Sequence, residues 1–142
     1  FDKQIETNLK GAYFLSQKFL RMYEKKHRNG GSILFLSSER GHYADDLPYG
    51  LIKAAINSLT QGLAKMLIHS NIRINAIAPG ITTTDMTGIT KDDIYADDYS
   101  TGRYYLPEEV AEVACFLVSD ASSCLSGQII ICNNGDSINY RK

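Results

Sequence analysis

Between residues 2 and 28, apolar positions recur at helical spacing: Ile5, Leu9, Ala12 and Tyr13, Ser16, Phe19 and Leu20, then Tyr23. Phe14, Leu15 and Met22 fall off that stripe. A helix that is apolar on more than one side needs a second partner surface. A stop is expected at Asn29-Gly30-Gly31, after the basic last turn Lys25-Lys26-His27-Arg28. Residues 32–37, SILFLS, are a nearly continuous apolar run, the pattern of a strand buried on both faces of a parallel sheet. A loop with Gly41, Asp45, Asp46 and Pro48 leads into a second helix over 49–69. Its small residues Ala54, Ala55, Ser58, Gly62 and Ala64 permit close approach by another helix. IRINAIA at 72–78 predicts a second buried strand, stopped by Pro79-Gly80. Residues 81–106 are irregular and polar, with four Tyr and five Asp. Pro107 suits the first turn of a third helix, and Glu108 and Glu109 favour its N-terminal dipole. That helix runs to about Ser119, and QIIIC at 128–132 predicts a last strand.

Strands joined by helical crossovers imply an α/β fold: a parallel sheet with helices on both faces. Three such strands make a thin sheet. A chain that opens with so broadly apolar a helix is expected to be part of a larger domain.

Composition narrows the class. The 142 residues are 44% hydrophobic and 22% charged, with a net charge of −1. That balance carries no electrostatic footprint for nucleic acid or an anionic membrane. No run approaches the roughly 18 apolar residues of a membrane span. The opening FDKQIETNLK has no apolar signal-peptide core. Cys115, Cys124 and Cys132 match no metal-ligand spacing. They are expected to be reduced thiols of a cytoplasmic protein, packed as small apolar residues, with no metal site. His27, His42 and His69 are scattered and receive no role.

Three constellations could carry chemistry. Tyr49 and Lys53 lie four apart on the second predicted helix and share a face. The lysine ammonium would favour the phenolate by about 4 kcal/mol at an effective dielectric of about 20, before desolvation is subtracted. That readies a phenol for proton transfer near neutral pH, although the same spacing also describes a surface pair. Ser37 and Ser38 end the first strand, where open α/β sheets place ligands. A serine there could donate to a substrate oxygen, or serve only the turn. The stretch from Asn75 to Met86 leaves the second strand at the same edge. Its backbone and threonine hydroxyls could hold a polar ring substituent or a phosphate, or cap a Pro-Gly turn.

Together these segments resemble the short-chain dehydrogenase/reductase family. IETNLKGAYFLSQ resembles its Asn-x-x-Gly helix. GSILFLSSERG followed by PYGLIKAAI looks like its strand, serine and Tyr-x-x-x-Lys core. RINAIAPGITTTDM is similar to its Asn-x-x-x-Pro-Gly-x-x-x-Thr cofactor segment. PEEVAEVACFLVSDASSCLSGQIIICNNG resembles its last helix, Gly-Gln turn and final strand. The likeness spans nearly the whole chain in one order. It is similar to 3-oxoacyl-carrier-protein reductase-like and sugar or polyol dehydrogenase-like members.

The resemblance implies the C-terminal portion of a Rossmann-like doubly wound parallel sheet, with residues 1–142 forming part of a single oxidoreductase domain, its catalytic half. It implies NAD or NADP as cofactor and a small carbonyl or alcohol as substrate. By position, Tyr49 is the implied acid/base, and Lys53 supports it and holds the nicotinamide ribose. Ser38 would polarise the substrate carbonyl. Asn8 would hold a water linking Lys53 to solvent. Pro79, Gly80, Thr82 and Thr84 would line the nicotinamide carboxamide and a phosphate. A homodimer or homotetramer is implied, with Phe14, Leu15 and Met22 at or near a contact between copies.

The sequence also departs from the family pattern. The strand, Gly-rich turn and Asn-Ala-Gly segment that open family members have no counterpart, so weak nicotinamide binding is expected of these 142 residues alone. Ser38 and Tyr49 lie about two residues closer than usual. Asn133-Asn134-Gly135 replaces Asp-Gly-Gly. In the 81–106 segment, Tyr95, Tyr99, Tyr104 and Tyr105 would suit a ring or polyol substrate, or pack as the ordinary tyrosines of a solvated loop. Asp92, Asp93, Asp97 and Asp98 would disfavour a phosphorylated carrier thioester. The competing reading is a non-catalytic fragment or oligomerisation scaffold derived from this family and lacking cofactor binding.

Overall fold

Three short strands organise the chain. The computed structural model describes residues 1–26, 30–97 and 99–138. Strands β1 (Gly31–Leu36), β2 (Ile72–Pro79) and β3 (Ile129–Cys132) form a parallel sheet in that spatial order. Gly31 pairs with Ile72 and Leu36 with Ile77, while Ala76 pairs with Ile129 and Pro79 with Cys132. The central strand β2 is the most deeply buried: Ile74, Ala76 and Ala78 are fully covered. Coverage on both faces, expected for SILFLS, is thus fullest at β2, while β1 is half-buried over Ser32–Leu34.

The first predicted helix is divided. Residues Asp2–Ile5 are α1, residues Glu6–Lys10 form a π-helical turn, and Gly11–Lys25 are α2. The Gly11 N–H reaches back to the Glu6 carbonyl, the longer bond that defines a π turn. The stop signal at Asn29, with His27 and Arg28, lies outside the described residues, but Gly30 has the positive φ of 82° that favours glycine. Helix α3 spans Pro48–Met66 and α4 spans Pro107–Val118. On one face of the sheet, Leu20 and Tyr23 of α2 and Ile56 and Ala64 of α3 pack with Phe35, Ile72 and Ile74. On the other, α4 packs along β1 and β2 and buries Leu117. Full burial of a side chain such as Ile74 or Leu117 contributes about 1.5–3 kcal/mol.

Two polar side chains of β2, half-buried Arg73 and buried Asn75, lock the last third of the chain. Arg73 of β2 donates from Nη1 to the Leu117 carbonyl and the Ser122 hydroxyl, both at 2.9 Å, and from Nη2 to the Ser119 carbonyl. It thereby satisfies carbonyls that the end of α4 leaves open. Asn75 donates to the Leu125 carbonyl and accepts from the Gln128 N–H. Glu109 caps its own helix by accepting from the Leu106 N–H, and it pairs with Arg103 through both guanidinium ends.

One expectation needs correction. Cys115 and Cys124 are exposed rather than packed inside, and only Cys132 is half-buried. Of the two readings of the loop tyrosines, Tyr99 shows ordinary packing, with the Tyr104 and Tyr105 ring centroids 5.3 and 6.4 Å away. The 81–106 segment uses its aromatics to hold itself together, and the pairing of Thr82 with Tyr105 and of Tyr95 with Arg103 closes it. No helix among the described residues is long and apolar enough to cross a membrane.

Candidate active site

At the C-terminal ends of the strands lies a cavity of about 450 Å³. Asn8, Ser38, Tyr49 and Lys53 line it. So do Pro79, Gly80, Thr82 and Thr84 from the segment after β2. All eight candidates singled out in the sequence therefore meet at one place, from four stretches of chain. A second cleft, of about 500 Å³, opens beside Asn71, Ile72 and Gly127, at the opposite ends of the strands, and contains none of them.

Tyr49 and Lys53 occupy consecutive turns of α3, which starts on Pro48. The Lys53 Nζ lies 5.4 Å from the centre of the Tyr49 ring and donates to the Leu36 carbonyl at 3.0 Å. Burial alone holds the Lys53 ammonium below the usual lysine range. The carbonyl accepts one of its three protons, and two remain to face the cavity.

The serine pair is divided by its surroundings. The Ser37 hydroxyl donates to the Lys53 carbonyl and the Asn57 Oδ1, so it is committed to α3. The Ser38 Oγ only accepts, from the Arg40 N–H at 3.3 Å. Its proton is the one free to meet a ligand.

Asn8 sits in the π-helical turn, and its Nδ2 donates to the Gln4 carbonyl at 3.3 Å. A π turn widens the backbone locally and recurs at functional sites. Thr82 donates to the Gly80 carbonyl at 2.9 Å, so in this conformation it offers a ligand an acceptor rather than a donor. Thr84 is tied to Thr87, whose hydroxyl accepts from the Thr84 N–H and donates to the Thr82 and Thr84 carbonyls.

Four further residues shape the site that sequence reasoning passed over. Asn57, four residues beyond Lys53 on the same face of α3, accepts from Ser37 and donates to the Gly41 carbonyl. Asp45 takes two bonds from the Arg40 guanidinium and one from the Leu47 N–H, and Arg40 holds its carboxyl below the usual range. The short loop between Ser38 and Tyr49 is consequently pressed onto α3. A Cβ on Gly41 would stand 2.6 Å from the Lys53 carbonyl carbon. Glu39, 7% exposed, accepts from the Asn133 Nδ2 at 2.8 Å. Burial pushes its carboxyl above the usual range, and that bond opposes the shift. Asn133, which stands in place of the family's Asp, is itself buried, and Asn134 adopts a positive φ of 52° where glycine would be unstrained. The Asn57 and Asp45 signals were present as helix-face spacing and an acidic residue before a proline. The Glu39–Asn133 contact joins positions 94 residues apart and left no local trace.

The family model described as Enoyl-(Acyl carrier protein) reductase matches residues 1–137. A 3-oxoacyl-[acyl-carrier-protein] reductase of Aquifex aeolicus is 34% identical over 95% of this chain and 56% of its own length. An NAD-dependent glycerol dehydrogenase of Listeria innocua is 37% identical over 97% of this chain and 56% of its own. The chain thus spans about half the length of the curated relatives it matches. A solved 3-ketoacyl-(acyl-carrier-protein) reductase of Brucella melitensis, complexed with NADH, superposes with a TM-score of 0.80 at 27% identity. That match covers 96% of this chain and 57% of the other. By the family match and these relatives, this chain belongs to the short-chain dehydrogenase/reductase family, and its three-stranded sheet is a segment of that family's Rossmann-like fold.

Proposed function

We propose that the protein is an NAD- or NADP-dependent oxidoreductase that interconverts a carbonyl and a secondary alcohol. The observation that carries this reading is the convergence of Asn8, Ser38, Tyr49 and Lys53 with Pro79, Gly80, Thr82 and Thr84 on one cavity. The residues present fit the nicotinamide end of such a cofactor. Lys53 has protons to give a ribose hydroxyl, and the Pro79–Thr84 backbone offers polar groups beside a space of small-molecule size. When bound, the cofactor supplies or accepts the hydride. The names of the Listeria and Brucella relatives, NAD-dependent and complexed with NADH, support the same class of cofactor.

In this proposal the Tyr49 phenol gives its proton to the carbonyl oxygen in reduction and takes it back in oxidation. Lys53, fixed by the Leu36 carbonyl, stabilises the phenolate and holds the cofactor's ribose. Ser38 donates its unused proton to the same carbonyl oxygen and fixes its orientation. Asn8 keeps its side-chain oxygen for a water that relays protons between Lys53 and solvent. The exposed apolar residues Phe14, Leu15 and Met22 on α2 support a homodimer or homotetramer. The test is a fluorescence titration of NADH and of NADPH into the complete natural protein. Saturable binding of at least one is expected, and binding of neither overturns the proposal.

A further inference from the structure

Glu39 is a buried acid that the proposed chemistry does not use. It leaves the end of β1 and reaches across the end of β2 to Asn133, which follows β3. Gly80 makes the crossing possible: a Cβ there would lie 3.2 Å from the Glu39 Oε2, 3.0 Å from Asn133 and 2.9 Å from the Tyr105 ring. Asn133 is held rigidly in turn, since its Nδ2 also donates to Ser137 and its Oδ1 accepts from the Gly135 N–H. Oε2 is therefore pinned. Oε1 accepts no hydrogen bond among the described residues, and Glu39 lines the cavity beside Ser38.

The nearby groups do not satisfy this oxygen. Arg40 is turned away into its two-bond pair with Asp45. Tyr99, close enough for the Glu39 charge to add to the burial that pushes its phenol up, makes no hydrogen bond to it. Asp136 adds a second negative charge nearby. Oε1 keeps an opening to the cavity, where a donor on a ligand can reach it. Leu36, Ile81, Met86, Pro107 and Val110 add apolar wall to a cavity that Arg40, Lys53 and Thr87 also line.

We propose that Glu39 is a specificity-determining residue whose free oxygen accepts a hydrogen bond from a second, neutral hydroxyl on the substrate, next to the reacting carbon. The substrate class is then a vicinal diol and its hydroxyketone. A carbonyl flanked only by apolar carbons gives this oxygen nothing to accept. The inference rests on the oxidoreductase reading above and adds the substrate class to it.

The test uses the complete natural protein and compares kcat/KM for 2,3-butanediol, 2-butanol and 3-amino-2-butanol with NAD+ and NADP+. The wild type is expected to prefer the diol over 2-butanol by about tenfold to a hundredfold, the range of one hydrogen bond to a charged group. In Glu39→Gln the amide oxygen can still accept from Asn133, but the free acceptor becomes a donor, and the preference should collapse. Thermal melting checks that this variant folds, and the wild-type ratio stands without it. Equal use of diol and 2-butanol, or a full preference retained by the variant, overturns the proposal. So does a preference for the amino alcohol, which would make the ligand group an ammonium. No turnover of any of the three with either nucleotide overturns the oxidoreductase reading and this inference with it.

Discussion

The C-terminal edge of the sheet and the outer surface of α2 depart from the usual partition of residues in opposite directions. At the sheet edge, polar and charged groups are buried: Ser37, Ser38, Glu39, Lys53 and Asn133 are all under 9% exposed. On α2, large apolar groups are bare: Leu15 is 71% exposed and Phe14 56%. Burying polar groups is tolerated when their bonds are supplied internally. Here most are, by Asn57, the Leu36 carbonyl and Asn133, and what remains unspent points into the cavity. The bare apolar groups have no such compensation within one chain. The contrast separates a cavity whose polar groups are largely satisfied within this chain from a helix face whose apolar groups this chain does not cover.

The largest effect is expected on the surface side. Leu15→Glu combined with Met22→Glu should abolish the homodimer or homotetramer of the complete protein, giving monomers or insoluble material in light scattering. A monodisperse wild-type monomer at micromolar concentration would break the comparison on that side.

A smaller effect sharpens the other side. Gly41→Ala places a methyl against the Lys53 backbone, which cannot swing away as a side chain could. A loss of about 1–3 kcal/mol in denaturant unfolding is expected. Turnover should fall as well, because the loop that carries Ser38 must lift from α3. An unchanged unfolding midpoint would show that the loop is not pressed there.

The smallest effect is a pH dependence. The folded Glu39 carboxyl is raised from its ordinary 4.5, first by burial. Between 4.5 and its higher folded value the native state holds more protons than the unfolded state, so stability falls as pH rises through that window. Glu39→Gln removes this contribution. Its stability relative to wild type should rise across the window and level off above it, as read from unfolding midpoints at a series of pH values. A difference that does not change with pH would contradict a buried, titrating Glu39.

Much of this was legible in the sequence. The apolar residues of SILFLS and IRINAIA mark two strands and Pro48 and Pro107 mark the helix starts, but only β2 is buried along most of its length, whereas Leu36 at the end of β1 is exposed. The eight candidate residues could be read because each lies within a local motif, so chain order fixes their placement. The π turn at Glu6–Lys10 was not legible, since its side chains keep an approximately helical spacing while one backbone bond lengthens. The packing of Tyr99 against Tyr104 and Tyr105 was also hidden. Periodicity says nothing about how an irregular segment folds onto itself, and the same polar-tipped rings suit a ligand or one another. The role of Arg73 was hidden too, because its partners lie 44 or more residues away in sequence.

The central claim is that the cavity at the strand ends transfers protons through Tyr49. Steady-state turnover of Tyr49→Phe in the complete protein, with nicotinamide binding measured alongside, tests it most directly. The phenol acts on the transition state and contributes little to holding the cofactor. A loss of turnover of about a hundredfold to ten-thousandfold is expected, with cofactor affinity within about threefold of wild type. A variant that turns over close to the wild-type rate would contradict it.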